Sequence, residues 1–354
     1  MAMPLNHCLE WPASSVDRAM TAWWSSCDRP RRLAVACSGG ADSVALLLAA
    51  CRLIREQKAL PVLSAPSPFE IVALHVHHGL QPAADAFVQH VQALATEVQR
   101  VVQGVHPQIA FSLQVRRVAV EVPSGCSLEA RAREARYEAL ADMAHQVGSD
   151  VILLGHHADD QAESVLLALR RGAGVAGLAA MALHFERHGL RWGRPLLNLP
   201  GQELRTWLRR HDVSWIDDPS NTDLRFTRNR LRHEVLPAFH AAFPALRSSL
   251  ARSARLAAEA DGLLQVLAGQ DLEQMGLPPQ IDRLRKLARP RQANALRHWL
   301  KQQHGAIGSE AQLRALLDVI AARATRGHHI HIRVGQGYVE DAGPHLVWIA
   351  DPRG

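Results

Sequence analysis

Residues Leu33-Ala-Val-Ala-Cys37-Ser-Gly-Gly-Ala-Asp-Ser43 open on a short apolar run and turn through two glycines. They then enter an amphipathic helical pattern that continues from Asp42 to about Glu56. A strand that passes through such a loop into a helix aims backbone N–H groups at one point, at the positive end of the helix dipole. That arrangement is an anion site. The glycines let backbone approach a phosphate closely, and Ser38 and Ser43 add hydroxyl donors. Ser38, Gly39, Gly40, Ala41, Asp42 and Ser43 are therefore the candidate phosphate cradle. The competing reading is an ordinary glycine turn with Asp42 as helix cap. The spacing is not the GxxxxGK[ST] loop of common nucleotide-binding folds.

Working outward, apolar runs at Phe69–Val76, Leu113–Val120 and Val151–Leu154 alternate with helical patterns at Ala83–Val102, Leu128–Val147 and about Asp160–Arg171. Strands alternating with helices of this length predict an α/β fold, a parallel sheet with helices on both faces. Ligands bind such sheets at the carboxyl ends of the strands. Around Gly201 the texture changes to a short helix, Gln202–Arg210, and the turn Asp217-Asp-Pro-Ser-Asn221. Long helical patterns follow, and the stretch from Ile330 to Ile349 alternates as a hairpin does. The expected organisation is a catalytic domain over residues 1–222 and a smaller, mostly helical domain with a C-terminal hairpin over 223–354.

The length of 354 residues suits two domains, and 47% hydrophobic with 21% charged residues is ordinary globular usage. The longest apolar run, Val44–Cys51, is too short to span a membrane, and the start of the chain has neither a basic nor an apolar leader region. Five cysteines, at 8, 27, 37, 51 and 126, include no CxxC pair, which argues against a disulfide framework or a cysteine metal site. A cytoplasmic protein without membrane contact is expected. Net charge is +6, and the segment 225–255 alone carries seven arginines against one acid, Glu234. Clustered arginine is the usual footprint of a nucleic-acid backbone partner. A solvated helix face decorated with arginines would give the same count.

Two histidine clusters, His75-Val-His-His-Gly79 and His156-His-Ala-Asp-Asp160, each follow a strand. Alone they would suit a metal-dependent phosphohydrolase. Asp160 and Glu163 equally read as a capping box at a helix start. Glu129, Arg133, Arg136 and Leu140 share one helix face beside an apolar stripe, which could fix an arginine toward an anion or leave Glu129 and Arg133 paired in solvent.

Taken in order, SGGADS, HVHHGL, LEARAREARY, GHHADDQAES, the RRGAG loop around Arg171 and DPSNTDLRFTRNRLR resemble the motif series of the tRNA(Ile)-lysidine synthetases. These form a branch of the N-type ATP pyrophosphatases, the SGGxDS or PP-loop family. The resemblance is dense over residues 31–240 and fainter beyond. It implies ATP-dependent attachment of L-lysine to C2 of the wobble cytidine in an isoleucine tRNA with a CAU anticodon. Adenylation makes the cytosine oxygen a leaving group, and AMP and pyrophosphate are the by-products.

The resemblance also implies roles. Ser38–Ser43 would cradle ATP, with Asp42 holding Mg²⁺. Arg136, with Arg133 as the lesser candidate, would stabilise charge on the adenylyl group or hold the cytosine. Asp160 and Glu163 would recognise the amino groups of lysine. Lysine's ammonium titrates near about 10.4 and must lose a proton before attack; His156 is the expected acceptor. Arg133, Arg225, Arg228, Asn229, Arg230 and Arg232 are the expected tRNA contacts. ATP and Mg²⁺ are the expected cofactors and the CAU-anticodon tRNA and lysine the partners, with a homodimer left open. Two features depart from the family pattern. His77 stands where many relatives have Asp or Asn, and longer relatives carry a further C-terminal domain. A PP-loop tRNA thiolase, a metal-dependent phosphohydrolase and a non-catalytic tRNA-binding protein are the alternatives.

Overall fold

The computed structural model describes residues 5, 8, 11–28, 30–56, 69–77, 79, 84–105, 107, 109–119, 128–323 and 329–351. Cys126, His78 and the side chain of Glu129, all used above, lie outside the described residues.

Strands β1 (Arg32–Ala36), β2 (Phe69–His77), β3 (Ile109–Arg117), β4 (Val151–Leu153), β5 (His184–Arg187) and β6 (Leu190–Gly193) form one sheet in the order 3-2-1-4-6-5. All neighbours are parallel except the β5–β6 hairpin. Alternation along the strands sorts side chains to two faces. Leu33, Val35, Ile71 and Ala73 pack with Trp23 and Trp24 of helix α1 (Ser15–Ser25), Leu46–Leu48 of α2 (Ala41–Glu56) and Val91 and Leu94 of α3 (Ala84–Val105). On the other face Ala34, Val72, Leu74 and Ile152 meet Tyr137, Leu140 and Met143 of α4 (Leu128–Val147). A buried ion pair, Arg52 Nε to Asp17 at 2.6 Å, ties α1 to α2.

From β1 the chain crosses to β2 on one side, while β4 lies on the other. The crevice at this switch point opens between the loop after β1 and the loop after β4, where doubly wound sheets bind ligands. The α/β class expected from the sequence is the one observed. Strand β3 begins at Ile109, because buried Ile109 and Phe111 enter the core opposite Phe69 and Ile71. The apolar run from Leu113 misplaces it. Helix α1 and the β5–β6 hairpin add to the expected elements; α1 is marked by the Ser14–Asp17 capping box and the stripe Val16, Met20, Trp23, Trp24. The strands HFER and LRWG have four residues each, too few for periodicity to show.

After β4 come α5 (Ala158–Arg170), α6 (Val175–Leu178), α7 (Gly201–Arg210), a 3₁₀ turn at Pro219–Thr222 and α8 (Thr227–Arg230). A π-helical turn, Leu231–Val235, leads into α9 (Leu236–Ala242) and α10 (Leu246–Met275). The chain divides into compact units 1–255 and 256–354, a division that α10 runs across. The sequence places its boundary at 222/223. In the structure, residues 223–255 stay with the first unit because Arg228, Arg232 and Arg247 pair with carboxylates of α5.

The second unit holds α11 (Ile281–Arg285), α12 (Arg289–His304) and α13 (Glu310–Ala322). They pack with β7 (His331–Val334), β8 (Gly337–Ala342) and β9 (His345–Ala350). The expected hairpin is thus a three-stranded antiparallel meander. Among the described residues no helix is long and apolar enough to cross a membrane.

Candidate active site

The loop after β1 is held by its own serine. Ser43 Oγ accepts the N–H groups of Ser38 (3.1 Å) and Gly39 (3.2 Å) and donates to the Gly40 carbonyl at 2.9 Å. Ser43 is buried while Ser38 is exposed, so Ser43 shapes the cradle and the Ser38 hydroxyl, bonded to Ser43 Oγ at 3.1 Å and to the Gly40 N–H at 3.4 Å, lies at its solvent side. Gly39 has φ +90°, and a Cβ there would sit 3.1 Å from Val91 Cγ2. Glycine is required by conformation and by space. Gly155, after β4, lies so close to the first turn of α2 that a Cβ would fall 2.9 Å from the Asp42 carbonyl. This contact brings the two loops together.

The loops meet chemically at Asp42. His157 caps α5: its Nδ1 accepts the Asp159 N–H at 3.2 Å, which leaves Nε2 to face Asp42 Oδ2 at 3.3 Å. Burial opposes charge on His157, but Asp42, Asp160 and Asp159 outweigh it and raise its pKa. The second oxygen, Asp42 Oδ1, is buried with no hydrogen-bond partner among the described residues. An orphaned carboxylate oxygen at the mouth of a phosphate cradle fits a divalent cation, so the residues present suit Mg²⁺ held by Asp42.

Ser38, Asp42 and Ser43 line one cavity of about 570 Å³ with Arg133, Arg136, His156, Asp160, Arg205, Asp217, Asp218, Arg228 and Arg232. Among the described residues Arg136 forms no ion pair; its guanidinium stands 6.0 Å from the Tyr137 ring. Burial, with Arg133 and Arg228 nearby, lowers its pKa, while Tyr137 and Asp160 act the other way. A guanidinium crowded by like charge is a place where an anion is stabilised.

The expected pair Asp160 and Glu163 is divided between two tasks. A capping box does form here, one turn earlier than DxxE would place it: Asp160 Oδ2 accepts the His157 N–H at 3.0 Å. Asp160 still lines the cavity. Glu163 is fully buried, and both its oxygens are taken, by Arg228 Nε at 2.8 Å and Arg232 Nε at 2.6 Å. Arg228 and Arg232 therefore turn inward. Asn229 is buried too, its amide bonded to the carbonyls of Ser220 and Asp223. Of that group only Arg225 and Arg230 face solvent. The π turn at 231–235 follows directly, and π-helical turns cluster at functional sites.

His156, the expected proton acceptor, lines the cavity and is held by an arginine. Its Nδ1 accepts from Arg194 Nε at 3.1 Å, and a guanidinium only donates. Burial pushes its pKa down to about 3, with Arg194, Arg136 and Arg133 adding to the effect and Asp160 opposing it. His157 and Arg194 are site residues the sequence reading missed. Doubled histidines hint at the first, and nothing local marks the second.

Among the described residues the two histidine clusters do not converge on a metal site. His75 donates from Nδ1 to the Cys37 carbonyl (2.8 Å), and His77 stands 3.3 Å from Asp85. Among the described residues no group of three His, Cys, Asp or Glu side chains is arranged to hold a metal ion. Cys37 is buried and its thiol is pushed up to about 11 by burial, so it is no ready nucleophile for sulfur transfer.

A glycine loop at a switch point, a carboxylate at its mouth and arginines across the crevice define an ATP-binding domain of the PP-loop class. In agreement, a family model described as a PP-loop domain matches residues 12–239, and one described as the TilS substrate binding domain matches 280–339. The chain is 46% identical over 335 residues to a tRNA(Ile)-lysidine synthase of Polaromonas naphthalenivorans, covering 95% of this chain and 94% of that protein. It is 37% identical over 332 residues to that of Bordetella parapertussis, covering 91% and 90%. With the Pseudomonas fluorescens enzyme it shares 42% over 277 residues, 75% of this chain but 57% of that longer protein. The chain belongs to the tRNA(Ile)-lysidine synthase family. Among solved structures, a U34-tRNA thiolase from Methanococcus maripaludis matches with a TM-score of 0.51 over 68% of this chain and 78% of its own, at 16% identity, a likeness of fold alone.

Proposed function

We propose that this chain joins L-lysine to C2 of the wobble cytidine of the CAU-anticodon isoleucine tRNA, consuming ATP to AMP and pyrophosphate. The observation that carries the reading is the single cavity in which the SGGADS loop, Asp42, Arg136 and Asp160 meet. Adenylation comes first. The cytosine O2 attacks the α-phosphorus, pyrophosphate leaves, and the N–H groups of the first turn of α2 hold the departing phosphates beside the Ser38 hydroxyl. Asp42 would hold Mg²⁺, which neutralises phosphate charge when bound. Arg136, with Arg133 beside it, stabilises the charge that develops on the adenylyl group. The lysine amine then attacks C2 and AMP departs with the former O2.

Asp160, the carboxylate of α5 that lines the cavity, supports recognition of the lysine amino group. Glu163 acts behind it, fixing Arg228 and Arg232. Arg225 and Arg230, exposed beside the site, are the phosphate contacts of this segment. Changing both to Ala should weaken tRNA binding and lower the slope of log K against log salt by about 1 for each. Lysine affinity should stay the same. An unchanged slope, measured by filter binding from low to moderate salt, removes them from the tRNA interface.

Pyrophosphate release tests the whole reading, with tRNA, lysine and ATP omitted in turn. Release that needs a CAU-anticodon isoleucine transcript, with labelled lysine entering the RNA, supports it. Phosphate release indifferent to tRNA favours a phosphohydrolase. Tight tRNA binding without turnover favours a non-catalytic binder.

A further inference from the structure

We infer that Arg194 is a positioning residue: it holds His156 with its ring hydrogen on Nε2, so that His156 serves as a fixed hydrogen-bond donor to an oxygen of the bound reactants and not as the base. Arg194 is only 6% exposed. Three anchors set its guanidinium: NH1 donates to the Ala182 carbonyl at 2.7 Å, the group lies 4.0 Å from the Phe185 ring centre, and Nε donates to His156 Nδ1 at 3.1 Å. Its backbone N–H is bonded to Leu183 at 2.9 Å. The β5–β6 hairpin that supplies Phe185 thus has a task at the site.

A guanidinium carries five donors and no acceptor. The nitrogen it meets must present a lone pair, and a neutral imidazole so held bears its hydrogen on the other nitrogen. His156 lines the cavity with Arg136, Arg133 and Asp160. On the ring edge away from Arg194, Nε2–H adds partial positive charge among the arginines. Such a donor, fixed before reaction, stabilises negative charge that grows on a phosphoryl or cytosine oxygen without moving a proton. Locking the tautomer is the contribution of Arg194, at one remove from the chemistry. The identity of the reactants rests on the proposed ligation; the tautomer does not.

Nitrogen-15 spectra of histidine-labelled full-length protein at pH 7 read the tautomer directly, with His156→Leu identifying the signal. The expected result is the Nε2–H form in the unaltered protein and a mixture of both tautomers in Arg194→Met. An Nδ1–H or doubly protonated ring in the unaltered protein, or an unchanged tautomer in Arg194→Met, overturns the inference. Turnover supplies a second arm that does not need the arginine variant to fold. The amide of His156→Gln retains a donor near Nε2 but cannot titrate, so its kcat should exceed that of His156→Leu by about tenfold or more. KM for ATP in the two should agree within about threefold. Equal kcat values overturn the donor role. Failure of the ligase reading would appear instead as no lysine incorporation by the unaltered protein, an outcome independent of the spectra.

Discussion

Replacing Glu163 by Ala should cost the protein about 3–5 kcal/mol of stability, the usual penalty for removing one member of a buried ion-pair cluster. For a unit of this size that is roughly a 10 °C fall in melting temperature. Glu163 has no exposed surface, and it pairs with two guanidinium groups that are themselves 25% and 32% exposed. Without it Arg228 loses its carboxylate partner and Arg232 keeps only the longer contact to Asp160 at 3.4 Å. Activity should fall with the loss of α8 from the site, and not through lysine affinity alone. Thermal unfolding with lysine titration separates the outcomes. A variant of wild-type stability whose only defect is a raised KM for lysine would return Glu163 to direct lysine recognition. A double-mutant cycle with Arg232→Ala should show coupling of about 1–3 kcal/mol, because the two residues share one network.

Asp42→Asn should reduce pyrophosphate release by about a thousandfold while leaving tRNA affinity within about twofold and the fold intact. Asn keeps an oxygen that can accept from His157 Nε2, the contact that closes the site at 3.3 Å. What it removes is the negative charge behind Oδ1, the buried oxygen with no hydrogen-bond partner among the described residues. Magnesium titration gives an independent reading: the unaltered protein should bind the ion more tightly with ATP than the variant does. Retention of more than about a tenth of the rate would show that the carboxylate charge is not needed and that Asp42 serves only to seat His157.

Much of the molecule was legible in advance for local reasons. The glycine loop, the strand before it and the helix after it are contiguous, so spacing alone discloses them. Asp160 was ambiguous because the same residue type serves a helix N-terminus and a substrate amine, and in the structure it has a capping bond and a cavity-lining position. The short strands β5 and β6 left no periodic trace long enough to read, whereas α1 carries one, Val16, Met20, Trp23 and Trp24 behind a Ser14–Asp17 capping box.

The sequence by itself determined the class of fold, the glycine loop between β1 and α2 and the family to which the chain belongs, because each of these rests on residues close together in the chain. Only the tertiary structure decided where charges find their partners. Seven arginines in one segment look like a phosphate-binding stripe until α8 packs on α5. Then Arg228 and Arg232 find Glu163, 65 and 69 residues away, and Arg225 and Arg230 remain in solvent. In the same way, Arg194 reaches His156 across 38 residues of chain and decides which of its nitrogens holds the hydrogen. Charge and residue type are properties of the chain, whereas pairing and desolvation depend on which faces are pressed together, and they set whether a charged group binds a ligand, holds the fold or tunes a neighbour.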